Sequence, residues 1–574
     1  MKTLTLWALL MSFTGLTAYA QEKFSTKRVV NDNTATGRLR HPFAMVLGPD
    51  DSLWITERRG YVIRMNRVNG GKTELLNIRN KVKFTTSGAT GIKQDGMLGI
   101  ALHPDLFLTG KNFVYLAYTY DSLGLRRIKI VRYTYQRDLA LLTNELTLVS
   151  GIPGSNDHNG GKLAIGNFGS VGEPDYKLVY SCGDGGANQF GNSCDSIQSQ
   201  YIPTSTQIAS GNKVRYSGKI LRINLDGTIP ADNPDFSGIG RSHVWSVGHR
   251  NPQGLVFERD MNNQLIPGGR LYSSEHGPAS DDEVNVIYGG GNYGWPRVAG
   301  KLDNNWYKYY QWSNNSGCSS YPGECSSTQT TYGIAEGAFF ISGHVNPIFD
   351  LYPTTPPGGA ACNWLKNPTV APSSLIVYPF NNRIPGWENS LLMPTLKAGA
   401  VFRLKLNASR DGSLSVSDSV IPYFKETALN RYRDMVVAND GITFYLLTDS
   451  VGATSGPIPG VDGGITDRGC VLEYVYTGSL MALGDDDHPL LDPRLYFRIY
   501  PSPATDYVHV QSKRNVSKPI FFKLLDSGGR IILTGKQNRD EFKIDVSKFH
   551  PGLYIIQLFN GRDVLEISKK IIVL

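Results

Sequence analysis

Two stretches concentrate fixed charge, amide groups and turn formers: Gly248-His249-Arg250-Asn251-Pro252-Gln253-Gly254 and, some twenty residues on, Ser274-Glu275-His276-Gly277-Pro278-Ala279-Ser280-Asp281-Asp282-Glu283. A plain connection needs none of this chemistry, whereas a loop shaped for a ligand does. The ligand these groups suit is anionic and metal-bound. In the second stretch, the carbonyls around Gly277 and Pro278 and the three successive carboxylates are the hard oxygen donors that calcium prefers. Its plainer reading is a solvated acidic turn.

Asp157-His158-Asn159-Gly160-Gly161-Lys162 places an imidazole beside a carboxylate and ahead of two glycines. With an ordinary pKa of about 6.5, His158 is suited to take a proton at neutral pH, and a neighbouring carboxylate orients it and stabilises its charged form. A turn histidine satisfied by local hydrogen bonds is the alternative. Gly183-Asp184-Gly185-Gly186-Ala187-Asn188-Gln189 is either an ordinary Asp-Gly turn or the source of the orienting carboxylate and of polar substrate contacts. Arg431-Tyr432-Arg433 puts two guanidinium groups on one face of a strand. With Arg250 and Lys397 they could clamp a carboxylated or phosphorylated ligand, unless they belong to a solvated strand.

One other chemistry is rejected and a second is weakened. Gly289-Gly290-Gly291-Asn292-Tyr293-Gly294 satisfies the dinucleotide pattern G-x-G-x-x-G, but Trp295-Pro296 follows where a helix would have to begin. No G-x-S-x-G occurs, which weakens a serine-hydrolase reading.

The elements that must position these loops are strands. Glycine is abundant at 62 residues, aromatics reach 11% and charged residues only 19%, a balance suited to short strands and tight turns. From His41 onward a pattern recurs of turn, alternating apolar strand, Gly turn and second strand, as in Gly48 to Met65, His103 to Tyr120, Gly218 to Gly227, Gly269 to Glu275 and Asn439 to Asp449. Almost no segment carries a 3.6-residue apolar face, so the chain is all-β. Loosely repeated four-stranded units over this length point to a β-propeller, whose channel collects loops from every blade. A pair of stacked sandwiches is the competing architecture.

At 574 residues there is room for a second domain. Repetition ends near Val471 to Tyr476, and residues 477–494, with Asp485-Asp486-Asp487-His488-Pro489, read as a linker. Residues 495–574 have their own strands and turns and suit a small β-sandwich. At the other end, Lys2, an apolar run from Leu4 to Leu16 and Ala18-Tyr19-Ala20 read as a signal peptide over residues 1–20, so the chain is expected to be exported. The net charge of +8 is modest and no Lys/Arg run is dense enough to suggest nucleic acid. Six cysteines suit an oxidising destination. Short separations favour Cys182 with Cys194 and Cys318 with Cys325, which leaves Cys362 with Cys470 among fifteen possible pairings.

Taken in order, Gly96 to Asp105, Asp157 to Leu163, Gly248 to Gly254, Glu275 to Asn285, Gly290 to Pro296, Pro368 to Ser374, Gly386 to Asn389 and Asn430 to Asp434 resemble the soluble, periplasmic glucose dehydrogenases that use pyrroloquinoline quinone (PQQ), within the glucose/sorbosone dehydrogenase family. That resemblance, covering about Phe43 to Tyr476, implies six blades, residues 21–476 as the catalytic domain, and PQQ lying across the channel. It implies His158 as general base, oriented by Asp184 with Asp157 beside it, and direct hydride transfer from the sugar's C1 to the quinone. Gln94, Asp157, Gln189 and Trp364 fall where the family holds the sugar. Arg250, Asn251, His276, Thr369, Lys397, Arg431 and Arg433 fall where it holds PQQ. The Gly277 and Pro278 carbonyls match those that bind calcium on PQQ, and Asp282, Glu283, Tyr293, Ala299 and Asp303 fall near the family's structural calcium.

The departures concern the substrate. His276 stands where the family has Gln, Trp364 where it has Tyr, Asn367 where it has an aromatic residue, and the local disulfide of that loop is missing. The resemblance implies a homodimer and an external electron acceptor; loss of the base or clamp would instead favour a propeller that only binds carbohydrate or protein. Ile499-Tyr500-Pro501-Ser502-Pro503-Ala504, Pro551-Gly552-Leu553-Tyr554 and the closing Lys569 to Leu574 resemble the C-terminal sorting domain of type IX secretion substrates. This implies handling by that machinery and release or attachment at the cell surface.

Overall fold

The computed structural model describes residues 22–29, 38–85, 94–107, 110–321, 323, 326–353, 367–381, 383–407, 421–425, 430–450, 466–478, 497–501, 503–512, 519–526, 530–539, 541–559 and 565–574. The residues read as a signal peptide, those of the expected linker beyond Gly478, and Trp364, Cys325 and Cys362 lie outside them. The chain divides into two compact units, residues 1–478 and 479–574.

In the first unit, six antiparallel sheets of four strands each follow one another. Their first strands are Pro42–Leu47, Met97–Leu102, Gly160–Asn167, Pro252–Phe257, Ile376–Tyr378 and Tyr432–Val437. Each of these packs against the first strands of the sheets before and after it, and Tyr432–Val437 returns to Pro42–Leu47. The ring is closed, so this is a six-bladed β-propeller. Phe24–Arg28 forms the outer strand of the last blade, pairing antiparallel with Val471–Tyr476 and so closing the ring with strands from both ends of the unit.

Alternation of side chains builds the core between blades. Trp54 packs with Met97, Ile100 and Leu116 of the next blade, whereas its neighbours Leu53 and Ile55 pack with Tyr445 and Leu447 of the last. A strand sandwiched between two blades is therefore buried throughout, and truncating Leu53 to Ala should cost about 2–5 kcal/mol.

The second unit is a β-sandwich. A three-stranded sheet (Phe497–Tyr500, Tyr507–Ser512, Glu541–Asp545) and a four-stranded one built around Ile520–Asp526 and Gly552–Phe559 share one core containing Val508, Val510, Leu524, Ile556 and Leu558.

The cysteine pairing expected from short spacing is wrong. Cys194 is bonded to Cys318, 124 residues away, with Cα atoms 5.2 Å apart. Cys182 is a free buried thiol among Tyr180, Tyr216 and Leu221, and Cys470 is likewise free rather than bonded to Cys362. Cys182 ends a strand that packs into a blade core, while Cys194 lies in the loop beyond it. Sequence proximity therefore puts them in different environments, and the fold brings a distant loop to Cys194 instead.

Candidate active site

In an antiparallel hairpin the start of one strand and the end of the next lie side by side. The site residues obey that rule at one end of the propeller. Gln94, Asp157, His158, Arg250, Asn251 and Arg431 precede or open first strands; Arg58, Asp184, His276, Lys397 and Asp449 follow second strands. Five of the six first strands also shift register at this end, between Pro42 and Met45, Met97 and Ile100, Gly160 and Leu163, Pro252 and Gly254, and Tyr432 and Asp434. Such bulges turn the side chains of the strand start away from the ladder.

His158 sits at φ +40°, a left-handed conformation that non-glycine residues adopt at a cost of about 1–3 kcal/mol. It is held there by its neighbours. Its Nδ1 lies 2.9 Å from Asp184 Oδ1, and its Nε2 is 3.3 Å from the Gln189 amide nitrogen and 3.8 Å from Asp157 Oδ1. Asp157 accepts from its own His158 backbone N–H at 3.0 Å and from Gln94 Nε2 at 2.6 Å. Asp184 accepts from Gly186 N at 2.8 Å and from Trp295 Nε1 at 2.9 Å. With its carboxylate satisfied by donors on both oxygens, Asp184 serves as acceptor to Nδ1–H, leaving the Nε2 lone pair toward Gln189.

Arg250 ties this cluster to the second stretch singled out in the sequence. Its guanidinium donates to Gln189 Oε1 at 3.1 Å and to the His276 carbonyl at 3.4 Å, and lies 5.3 Å from the Trp295 ring centroid. Its backbone N–H donates to Glu275, which also binds His249 Nδ1 at 3.0 Å. His276 donates from Nε2 to the Pro372 carbonyl at 2.6 Å. Burial, then the neighbouring His158 and Arg250, push its pKa down to about 3, so it is a neutral imidazole with Nδ1 as an acceptor.

A basic cluster surrounds one carboxylate. Arg433 binds Asp449 at 2.7 Å and Arg431 lies 4.0 Å from it. Burial pushes the Asp449 carboxyl up, but Arg433, Arg431 and Arg58 outweigh it and hold the group well below the usual carboxylate range. Three guanidinium charges around one carboxylate leave a net positive site. Sequence reading missed Arg58, because it directly follows a strand whose pattern announces only a core. Lys397 Nζ donates to Thr369 Oγ1 at 2.9 Å and to the Asn367 carbonyl, and burial brings its pKa down to about 8.

The expected metal residues divide. Gly277 occupies a turn where a Cβ would meet Ser280 O at 1.9 Å, so only glycine keeps the Gly277-Pro278 carbonyls in place. Asp282 accepts from the backbone N–H of Gly277, Val370 and Ala371 at 3.0, 2.6 and 3.0 Å, fastening the Gly277 turn to the Thr369 loop. Glu283, next on the strand and pointing the other way, accepts from Gly300 N at 2.8 Å. Tyr293 stacks on His249 at 4.7 Å and donates to the Val286 carbonyl at 2.6 Å. Asp303 is exposed. The backbone N–H groups of Ala299, Asp303 and Asn304 converge instead on Glu336, a residue no motif advertised. Among the described residues no three His, Cys, Asp or Glu side chains are grouped to hold a metal ion.

Beside Gln189 and Pro278 opens a narrow cleft walled by Trp295, Tyr310, Trp312 and Tyr321. Asn188 fastens that wall through the Tyr310 carbonyl and Ser313 N–H at 2.9 and 3.2 Å, and the Cys194 to Cys318 disulfide does so again nearby.

The sequence pattern of the glucose/sorbosone dehydrogenases matches residues 39–321, and that of a secretion system C-terminal sorting domain matches residues 498–574. Quinoprotein glucose dehydrogenase B of Acinetobacter calcoaceticus is 35% identical over 480 residues, spanning 80% of this chain and 92% of its own length. The chain belongs to the glucose/sorbosone dehydrogenase family. It is thereby an oxidoreductase acting on sugars, and its tail marks it for export through type IX secretion to the cell surface or beyond. The aldose sugar dehydrogenase YliI of Escherichia coli is 23% identical over 433 residues, 74% of this chain and 91% of its own. The crystal structure of the soluble aldose sugar dehydrogenase of Escherichia coli in its apo form superposes with a TM-score of 0.50 at 22% identity, covering 79% of this chain and 100% of that one, which bears on the fold.

Proposed function

We propose that the chain oxidises a glucose-like aldose at C1 to the lactone, with PQQ and calcium, and passes the electrons to an external acceptor. The observation that carries this reading is the His158 to Asp184 pair at 2.9 Å with Nε2 left facing Gln189 and Asp157. Asp184 keeps the proton on Nδ1; Nε2 takes the proton of the anomeric hydroxyl. Gln94, Asp157 and Gln189 hold the sugar hydroxyls, with Trp364 as a further contact. These residues make the ring stay put while the hydroxyl proton leaves.

The donor set suits a tricarboxylated quinone. Arg250, Thr369, Lys397, Arg431 and Arg433 would hold its carboxylates and carbonyls. Asn251 adds a specific point of fit: the residue is fully buried, its Oδ1 accepts from Gly160 N and Gln253 Nε2, and its Nδ2 has no partner among the described residues. An unmatched buried donor costs about 1–3 kcal/mol, which a ligand acceptor would offset. Where relatives have Gln, neutral His276 would offer the acceptor Nδ1. When bound, PQQ would accept the C1 hydride, with calcium on the Gly277 and Pro278 carbonyls polarising the accepting carbonyl. Asp282 supports that turn, and with Glu283, Tyr293, Ala299 and Asp303 it would lie near a structural calcium, as the family resemblance implies.

The division of labour follows: residues 1–20 as leader, 21–476 for catalysis, 477–494 as linker and 495–574 for export. Dye-linked oxidation of glucose by the cofactor-free protein, before and after adding PQQ with calcium and with EDTA as control, tests the reading. Activity only with both establishes it; no PQQ binding sinks it.

A further inference from the structure

Away from the sugar pocket, a cleft of about 330 Å³ is lined by Arg38, Leu39, Arg40, His41, Arg59 and Ser450. No acidic side chain lines it. Other arginines of this chain are neutralised by a carboxylate, as in Arg64 with Asp50 at 2.6 Å, Arg222 with Asp232 at 2.8 Å and Arg270 with Glu258 at 3.3 Å. Arg38, Arg40 and Arg59 make no ion pair among the described residues, and Arg40 and Arg59 are exposed. Glu57 accepts from the Arg40 backbone N–H at 2.6 Å and offsets part of the Arg40 charge, but three guanidinium groups in one concavity leave it positive, which attracts anions and raises their encounter rate.

The cleft shares a wall with the basic cluster. Ser450 Oγ lies 3.2 Å from His41 Nδ1 inside the cleft, while its backbone N–H donates at 2.8 Å to Asp449, the carboxylate that anchors Arg433. The Arg58 backbone N–H donates to the His41 carbonyl at 2.9 Å. The Arg58 and Arg59 guanidinium groups both lie by the Phe84 ring, 5.4 and 5.7 Å from its centroid. An anion seated here is thus one residue from the groups assigned to the cofactor.

We propose that this arginine cleft is the docking site for a negatively charged electron acceptor, a role that rests on the dehydrogenase reading. Oxidation of one aldose to its lactone releases two electrons and two protons. Two one-electron acceptors leave in turn, each reduced by one electron, and the protons pass to solvent. None of the three arginines belongs to the sugar or cofactor contacts, so they act on the acceptor alone.

The test compares the wild type with R38Q/R40Q/R59Q, both loaded with PQQ and calcium, using hexacyanoferrate(III), a trianion, and phenazine methosulfate, a cation. The variant should lose about tenfold or more in kcat/KM for hexacyanoferrate(III), with a flattened salt dependence, and keep its rate with phenazine methosulfate. Equal effects on both dyes, or none, overturn the proposal. Calorimetric titration of hexacyanoferrate(II) onto the cofactor-free proteins is the second readout: anion binding should weaken about tenfold in the variant, and unchanged binding overturns the cleft as an anion site. If the wild type reduces neither dye, the dehydrogenase reading fails and the acceptor role with it, while the titration still reports on the anion site.

Discussion

Trp295 donates its indole N–H to Asp184 Oδ2 at 2.9 Å, while the other oxygen of the same carboxylate holds His158 Nδ1. A tryptophan that touches neither base nor sugar by hydrogen bond therefore sets how strongly Asp184 pulls on the imidazole. Trp295→Phe removes a bond to a charged group, worth about 1.5–3 kcal/mol. The carboxylate becomes more basic and stabilises the imidazolium more. The acidic limb of the pH profile should move to higher pH, with kcat at neutral pH down about tenfold. A uniform loss with no movement of the limb would make Trp295 merely structural.

Removing the base itself is the harsher change. His158→Ala should lower kcat by about a hundredfold or more, the scale of lost general-base catalysis, and leave PQQ binding nearly intact, because Arg431, Arg433 and Lys397, the residues proposed to hold it, are untouched. An absorbance titration with PQQ beside the rate separates the two effects. Wild-type turnover in this variant removes His158 from the mechanism.

Lys397 gives the cofactor affinity a pH dependence. Burial holds its pKa near about 8, so the cationic form is present below that value and is lost as pH rises through it. A carboxylate partner favours the cation, so binding above pH 8 requires proton uptake. The affinity for PQQ should be steady from pH 6 to 7 and fall by up to about tenfold per unit above 8, whereas Lys397→Met should be weak throughout and lose the trend. Fluorescence titration at pH 7 and 9 measures it; a flat wild-type profile would place Lys397 away from the ligand.

The loops that the sequence advertised are those whose chemistry is dense within a few residues. His158 with Asp157, and Arg431 with Arg433, announce themselves because residues one or two apart carry the signal. Arg58 and Glu336 do not, since their partners, Asp449 for the one and the 299–304 backbone for the other, are brought from far along the chain. Trp295 shows the limit best. It served to reject a helix after Gly294, and only the folded ring places its N–H on Asp184. The repetition of four-stranded units was legible because alternation and Gly turns are local properties, the count of six coming only from the family resemblance; the cysteine pairing was not, because which loops meet above the ring is decided by blade order.

That pairing leads to a last expectation. The Cys194 to Cys318 bond spans 124 residues and ties the loop carrying Gln189 to the wall of Tyr310, Trp312 and Tyr321. A disulfide typically stabilises a fold by about 2–4 kcal/mol, chiefly through the unfolded chain. Cys194→Ser with Cys318→Ser should therefore lower the melting temperature by about 2–6 °C. The loop should loosen without detaching, because Asn188 keeps its two hydrogen bonds to Tyr310 and Ser313. Gln189 would then meet the sugar less often in its binding position, so KM for glucose should rise severalfold while kcat changes little. A lowered melting temperature with unchanged KM would show that the bond holds the fold and has no part in shaping the sugar pocket.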